Sequence, residues 1–351
     1  MEHLHSFRRG MNLGGWLSQY PKPDKHHFDT FITKKDIQTI AGWGFDHIRL
    51  PVDYPIIEHD DRPGTYLDEG LSYIDRCFEW CEESGLAVVL DLHHAPGFTF
   101  NHALKDETRH LNTLFTDEKD QQRFIHLWKF LLNRYHTAST PVIFELLNEV
   151  VLPESGPWNV LAKRAVEELR KESKSAKILI GGNHNNAASE LKNLEVLPDP
   201  NVLYGFHFYD PLLFTHQKAP WVEASVDYQA TLAWNGPFSG LEAFLNQHPK
   251  HASAFRHLTG RTIDKELLHE CMQPAFDFLL SHQRPLYCGE FGVIDIVASS
   301  CRNDWHAETI RLFNQYDIGW AVWTYKELDF GIVDYDGKVR DPNLLDILCT
   351  I

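Results

Sequence analysis

Short, nearly continuous apolar runs alternate along the chain with longer stretches whose apolar residues recur at helical spacing. The runs are FDHIRLPV (45–52), LAVVLDLHH (86–94), VIFELLNEV (142–150), KILIGG (177–182), NVLYGFHFY (201–209), PLYCGEFGV (285–293) and IGWAVWTY (318–325), after a first at 9–15. Helical patterning falls at 34–43, 68–84, 118–136, 158–173, 187–194, 264–282, 303–315 and 341–349. Continuous apolar runs are the mark of strands buried on both faces. Strict β-then-α alternation implies parallel pairing through crossovers, and eight such units predict one (β/α)8 TIM barrel over residues 1–351. A doubly wound sheet is the alternative, but MNLGGWL after the first strand lacks the G-x-G-x-x-G spacing of a phosphate turn.

The rhythm breaks once, between Tyr209 and Asp264. Connections that long are usually functional. Residues 210–263 carry Phe214, His216, Trp221, Tyr228, Trp234 and Phe238, and are expected to form a small inserted subdomain beside the active-site cleft.

Charge narrows the function. With 33 basic against 49 acidic side chains, the net charge of −16 argues against nucleic acid and anionic membrane as partners. No run reaches the length of a membrane span. The start, MEHLHSFRRGMNLGG, has no apolar stretch behind a basic segment, so a cytoplasmic protein is expected, or a secreted one if a leader has been removed. Six cysteines are too dilute for a disulfide scaffold, and Cys77 and Cys81 have no second pair to complete a metal site; no metal or cofactor is expected. The 22 Phe, 12 Tyr and 10 Trp exceed what a core requires and suit a ligand with flat apolar faces.

In a barrel the active groups come from the C-terminal ends of strands. Those ends carry Arg49; Asp91, His93 and His94; Asn148 and Glu149; His207 and Tyr209; Glu290; and Trp323 with Tyr325. Glu149 and Glu290 each close an apolar run, where a carboxylate costs several kcal/mol unless compensated. Two carboxylates in one pocket are what glycoside hydrolysis requires.

The motifs NLGGWL (12–17), HIRLP (47–51), DLHHAPG (91–97), LLNEV (146–150), HFY (207–209), GEFG (289–292) and VWTYKE (322–327) stand in an order that resembles glycoside hydrolase family 5. The likeness spans nearly the whole chain and extends into the insertion at HFYDPLLFTHQKAPW. It implies a retaining endo-β-1,4-glucanase acting on soluble β-glucans or cello-oligosaccharides, with Glu290 as nucleophile and Glu149 as acid/base. Arg49 and Tyr209 are expected to favour an ionised Glu290, and charge on Glu290 to raise Glu149. Asn148 is expected on the sugar 2-hydroxyl, His93 and His207 along the pocket that holds the reacting sugar, and Trp323 beneath it. Trp16, Trp221 and Trp234 are further stacking candidates, and Lys326 and Glu327 could reach a neighbouring sugar.

Other family 5 specificities, on β-1,3- or mixed-linkage glucan or on β-mannan, and a transglycosylase stay open. A silent sugar-binding barrel would lack one carboxylate. Eight βα units leave no room for a cellulose-binding module, so imported oligosaccharides are the expected substrate, and a monomer the expected state. Asp329, Phe330 and Gly331 spell a kinase triplet with none of its companion motifs, and Asp334, Asp336 and Gly337 read as a turn rather than a calcium loop.

Overall fold

The computed structural model describes residues 6–100 and 112–351. Eight parallel strands close into a barrel in sequence order. They are β1 (Arg9–Asn12), β2 (His47–Asp53), β3 (Ala87–His94), β4 (Val142–Glu145), β5 (Lys177–Gly181), β6 (Val202–Phe208), β7 (Leu286–Phe291) and β8 (Gly319–Val322). β8 returns to β1 with Met11 opposite Val322, so closure removes the sheet edges.

Around it lie α1 (Lys34–Gly42), α2 (Asp68–Ser84), α3 (Glu118–Tyr135), α4 (Gly156–Glu172), α5 (Lys265–His282), α6 (Ser299–Gln315) and α7 (Pro342–Thr350). Their starts are set locally: Thr33 and Asp36 form a capping box, and Asp117, Asp264 and Asp341 accept first-turn N–H groups. α2 ends where Gly85 turns left-handed at φ 72°. The helix expected at 187–194 is instead a short 3₁₀ helix, Ala188–Asn193, seated against α5. Its polar ASELKN offers too little apolar face to stabilise a longer helix.

The strands are not apolar on both faces throughout, which corrects the sequence reading. Outward residues such as Met11, Ile48, Leu50, Val88, Leu90, Phe144 and Ile178 join the helices in one large core. Inward residues Ala87, Val89, Ile143, Leu179, Leu203, Tyr287 and Ala321 form a separate apolar floor with Phe7. Nearer the C-terminal ends, the inward positions turn polar: Asn12, Arg49, Asp91, Glu145 and His207 are all buried there. β1, β4 and β8 also stop short of their expected ends, so Asn148, Glu149, Trp323 and Tyr325 sit just past their strands.

Residues 210–263 contain the short helices Leu212–Thr215, Glu223–Asp227, Leu241–Gln247 and Ala252–Phe255. Phe214, Tyr228, Phe238, Phe244 and Leu258 bury themselves in the same core as the barrel helices. Among the described residues, no helix is long and apolar enough to cross a membrane.

Candidate active site

Arg49 is the fixed point of the site. It stands fully buried on β2, and parallel register sets it beside Asn12 of β1. A buried guanidinium must spend all its donors, and this one does. Nε and Nη2 hold Glu145 at 2.7 and 3.0 Å, Nη1 donates to Glu290 at 2.7 Å and Asn12 at 3.0 Å, and Nη2 donates to Asn148 at 2.9 Å. Asp91 lies 3.0 Å from Nη2. The planar fork orients several side chains at once, which a lysine could not do.

Glu290 ends the apolar run of β7 with Oε1 on Arg49 and Oε2 accepting from the Tyr209 hydroxyl at 3.0 Å. The register slips at Phe206/His207, bringing His207 opposite Glu290. His207 Nδ1 then meets Glu149 Oε1 at 2.9 Å. Glu149 lies past β4 at φ 37°, in the left-handed region that few non-glycine residues adopt. Oxygens of Glu149 and Glu290 and a ring nitrogen of His207 all lie within 4.8 Å of one another.

The two carboxyls differ electrostatically. Burial pushes Glu149 up to about 7, with Glu145 adding to the rise and Asn185 and Arg49 opposing it. Burial, not charge on Glu290, is therefore the main cause, contrary to the sequence expectation. Burial also raises Glu290, against His207 and Arg49. Two donors converge on it nonetheless, and both favour its ionised form. Asp91 is raised to about 7 by burial, and burial raises Glu145 too. Three carboxyls, Asp91, Glu145 and Glu290, thus share one guanidinium, which offsets part of the cost of burying them. Burial lowers His207 to about 4 and His93 well below its usual value, so both imidazoles are neutral.

Glu149, Glu290 and the residues predicted around the reacting sugar lie in or directly beneath one cleft of about 1380 Å³. Glu149, His207, Tyr209, Glu290 and Trp323 line it, while Arg49 and Asn148 brace it from below. His93 is tied to Asp91 at 2.7 Å and stands parallel to Trp323, ring centres 5.9 Å apart. Asn148 gives its oxygen to Arg49, and its buried Nδ2 has no partner among the described residues.

Other expectations fail for packing reasons. Lys326 is buried on Phe31 O and Asp36, and Glu327 pairs with Arg340, so neither is free for a sugar. Trp16 is core, its Nε1 donating to Phe28 O, and Trp234 packs against Phe214; only Trp221 of the three lines the cleft. His94, His184 and His216 line it as well. No third His, Cys, Asp or Glu joins Cys77 and Cys81 among the described residues. Sequence reasoning missed Glu145, whose signal was its place two residues after inward Ile143, and Asn12, hidden within NLGGWL.

The family model described as cellulase (glycosyl hydrolase family 5) matches residues 9–329. Endoglucanase C of Acetivibrio thermocellus is 48% identical over 343 residues, covering 98% of each chain. Cellodextrinase A of Ruminococcus flavefaciens is 33% identical over 88% of this chain and 83% of its own. Thermotoga maritima Cel5A, solved with cellobiose, superposes with a TM-score of 0.79 at 25% identity over 99% of both chains. The chain belongs to glycosyl hydrolase family 5.

Proposed function

We propose that this protein is a retaining endo-β-1,4-glucanase in which Glu290 is the nucleophile and Glu149 the acid/base. The observation that carries the reading is the unequal carboxyl pair. With an oxygen of each within 4.8 Å, the pair has the close spacing that leaves no room for an attacking water beside a bound sugar, which favours direct attack and retention.

In the first step Glu290 attacks the anomeric carbon while Glu149, protonated because it is buried, gives its proton to the departing glycosidic oxygen. A glycosyl ester forms on Glu290. In the second step the ionised Glu149 takes a proton from water, which attacks the same carbon, and Glu290 departs as a carboxylate held by Arg49 and Tyr209. Neutral Tyr209 donates its hydroxyl to Glu290 Oε2, and that bond strengthens as charge returns to Glu290. The free amide donor of Asn148 suits the sugar 2-hydroxyl, whose hydrogen bonds tighten in the transition state. Trp323 offers a flat apolar wall to the ring's C–H face. β-Glucan is the substrate on the strength of the relatives named endoglucanase, and of a cleft of about 1380 Å³ lined by aromatic side chains such as Tyr20, Trp221 and Trp323.

Azide distinguishes the roles. Glu290→Gly with azide is expected to yield the inverted glycosyl azide, and Glu149→Gly the retained one. Near-normal hydrolysis by Glu149→Gln or Glu290→Gln refutes the assignment. Early product lengths on β-1,4-glucan, mixed-linkage glucan and mannan separate endo from exo cleavage and grade specificity.

A further inference from the structure

Beside Glu149 the chain makes an unusual turn. His184, Asn185 and Asn186 have φ of 47°, 58° and 57°, three consecutive non-glycine residues in the left-handed region. Asparagine tolerates that region better than most residues, and GGNHNN (181–186) supplies it three times.

The turn is clasped to the segment that follows Glu149. Asn183 gives and takes hydrogen bonds with the Leu152 backbone at 2.9 and 2.8 Å, and Asn185 N donates to Val150 O at 3.1 Å. Asn186 Oδ1 accepts from Gly182 N at 2.5 Å, closing the turn on itself. So fixed, the turn sets Asn185 Nδ2 3.3 Å from Glu149 Oε2. The other oxygen, Oε1, belongs to His207.

We infer that Asn185 is a positioning residue for the base half of the cycle: its amide N–H, held by the left-handed turn, selectively stabilises and aims the carboxylate form of Glu149. The inference rests on the acid/base reading of Glu149. An amide N–H can only donate, so it favours the ionised form needed to activate water over the protonated form needed to expel the leaving group. The remaining groups that face Glu149 are Arg49 from β2, Asp91 from β3, Glu145 from β4, His207 and Tyr209 at the end of β6, and Glu290 from β7, with His184 on the same turn. Arg49 aside, none of them offers a fixed cation, so the amide is a main counterweight to burial.

Asn185→Gly keeps the left-handed backbone accessible and removes only the amide, whereas Asn185→Asp replaces the donor with a second negative charge. In Asn185→Gly the basic limb of kcat/KM is expected to move up by about half a pH unit or more, and further in Asn185→Asp. On an activated aryl cellobioside, where ester hydrolysis limits turnover, kcat at low pH is expected to fall several-fold. An unmoved limb in folded Asn185→Gly, with Glu149→Gln inactive on glucan, overturns the inference alone. Normal activity of Glu149→Gln overturns the acid/base reading and the inference with it.

Discussion

Arg49 and Glu145 form a two-pronged ion pair, Nε–Oε2 2.7 Å and Nη2–Oε1 3.0 Å, with both side chains out of reach of water directly beneath the reacting pair. Breaking one side of a buried pair leaves the other charge uncompensated, which typically costs about 3–5 kcal/mol. Glu145→Gln keeps the shape but turns an amide N–H toward the guanidinium. It is expected to destabilise the fold by roughly that amount in denaturant unfolding. Glu145 is also one of the charges raising Glu149, so the basic limb of kcat/KM is expected to move to lower pH in this variant.

Stability itself depends on pH through the raised carboxyls. Glu149 and Asp91 both lie near 7 when folded against ordinary values of 4.5 and 3.8. Between those values these two carboxyls bind more protons in the folded state than in the unfolded state, so their contribution to stability falls as pH rises through that window, against the opposite slope that buried His93 and His207 contribute below about 6.5. The slope is at most about 1.4 kcal/mol per pH unit for each group. Melting temperatures of wild type and Glu149→Gln measured from pH 4 to 9 check this: the variant is expected to gain stability relative to wild type as pH rises through the window and to be the more stable protein at pH 8. A difference between the two proteins that stays level across the window contradicts it.

A third expectation concerns the Trp323 wall. A Cβ on Gly14 would lie 2.6 Å from Trp323 Cη2 and 2.7 Å from Cζ2, so Gly14→Ala must push the ring. The ring is rigid and nearly buried against His93, and overpacking of this kind costs about 1–3 kcal/mol. Gly14→Ala is expected to fold with a lowered melting temperature and to lose about tenfold or more in kcat/KM, because placement errors near 1 Å are costly to catalysis. Retained kcat/KM would show that the ring's position is not part of catalysis.

Trp221 offers the opposite case, since it is 48% exposed and lines the cleft away from the barrel axis. Trp221→Ala is expected to leave stability within about 0.5 kcal/mol of wild type, as surface changes usually do. KM for long glucans should rise several-fold while kcat/KM on a short aryl cellobioside stays level. Equal losses on both substrates would place Trp221 among groups that act on the reacting sugar.

The barrel was legible because its signal is repeated. Eight apolar runs separated by helical patterns need no knowledge of contacts, and caps such as Asp117 and Asp264 announce the helices locally. Glu149 and Glu290 were legible because an acid closing an apolar run demands a compensating partner. Glu145 escaped because FELLNE reads as one strand, and nothing local shows that the strand ends at Glu145 and that the chain then turns Glu149 into the cleft. Lys326 and Trp16 misled for the converse reason: their partners Asp36 and Phe28 come from separate helices, α1 and the short helix Lys25–Thr30.

The sequence by itself determined the order of elements, the strand ends that meet at the cleft and the two carboxyls that close apolar runs, since these follow from periodicity and from the cost of placing charge among apolar residues. Only the tertiary structure decided which of 49 acidic side chains share Arg49, which histidines face the cleft and which aromatics merely pack. Those choices depend on closure of the barrel and on the register slip at His207. They bring residues hundreds of positions apart within hydrogen-bond reach, and burial there fixes the protonation on which the proposed reaction depends.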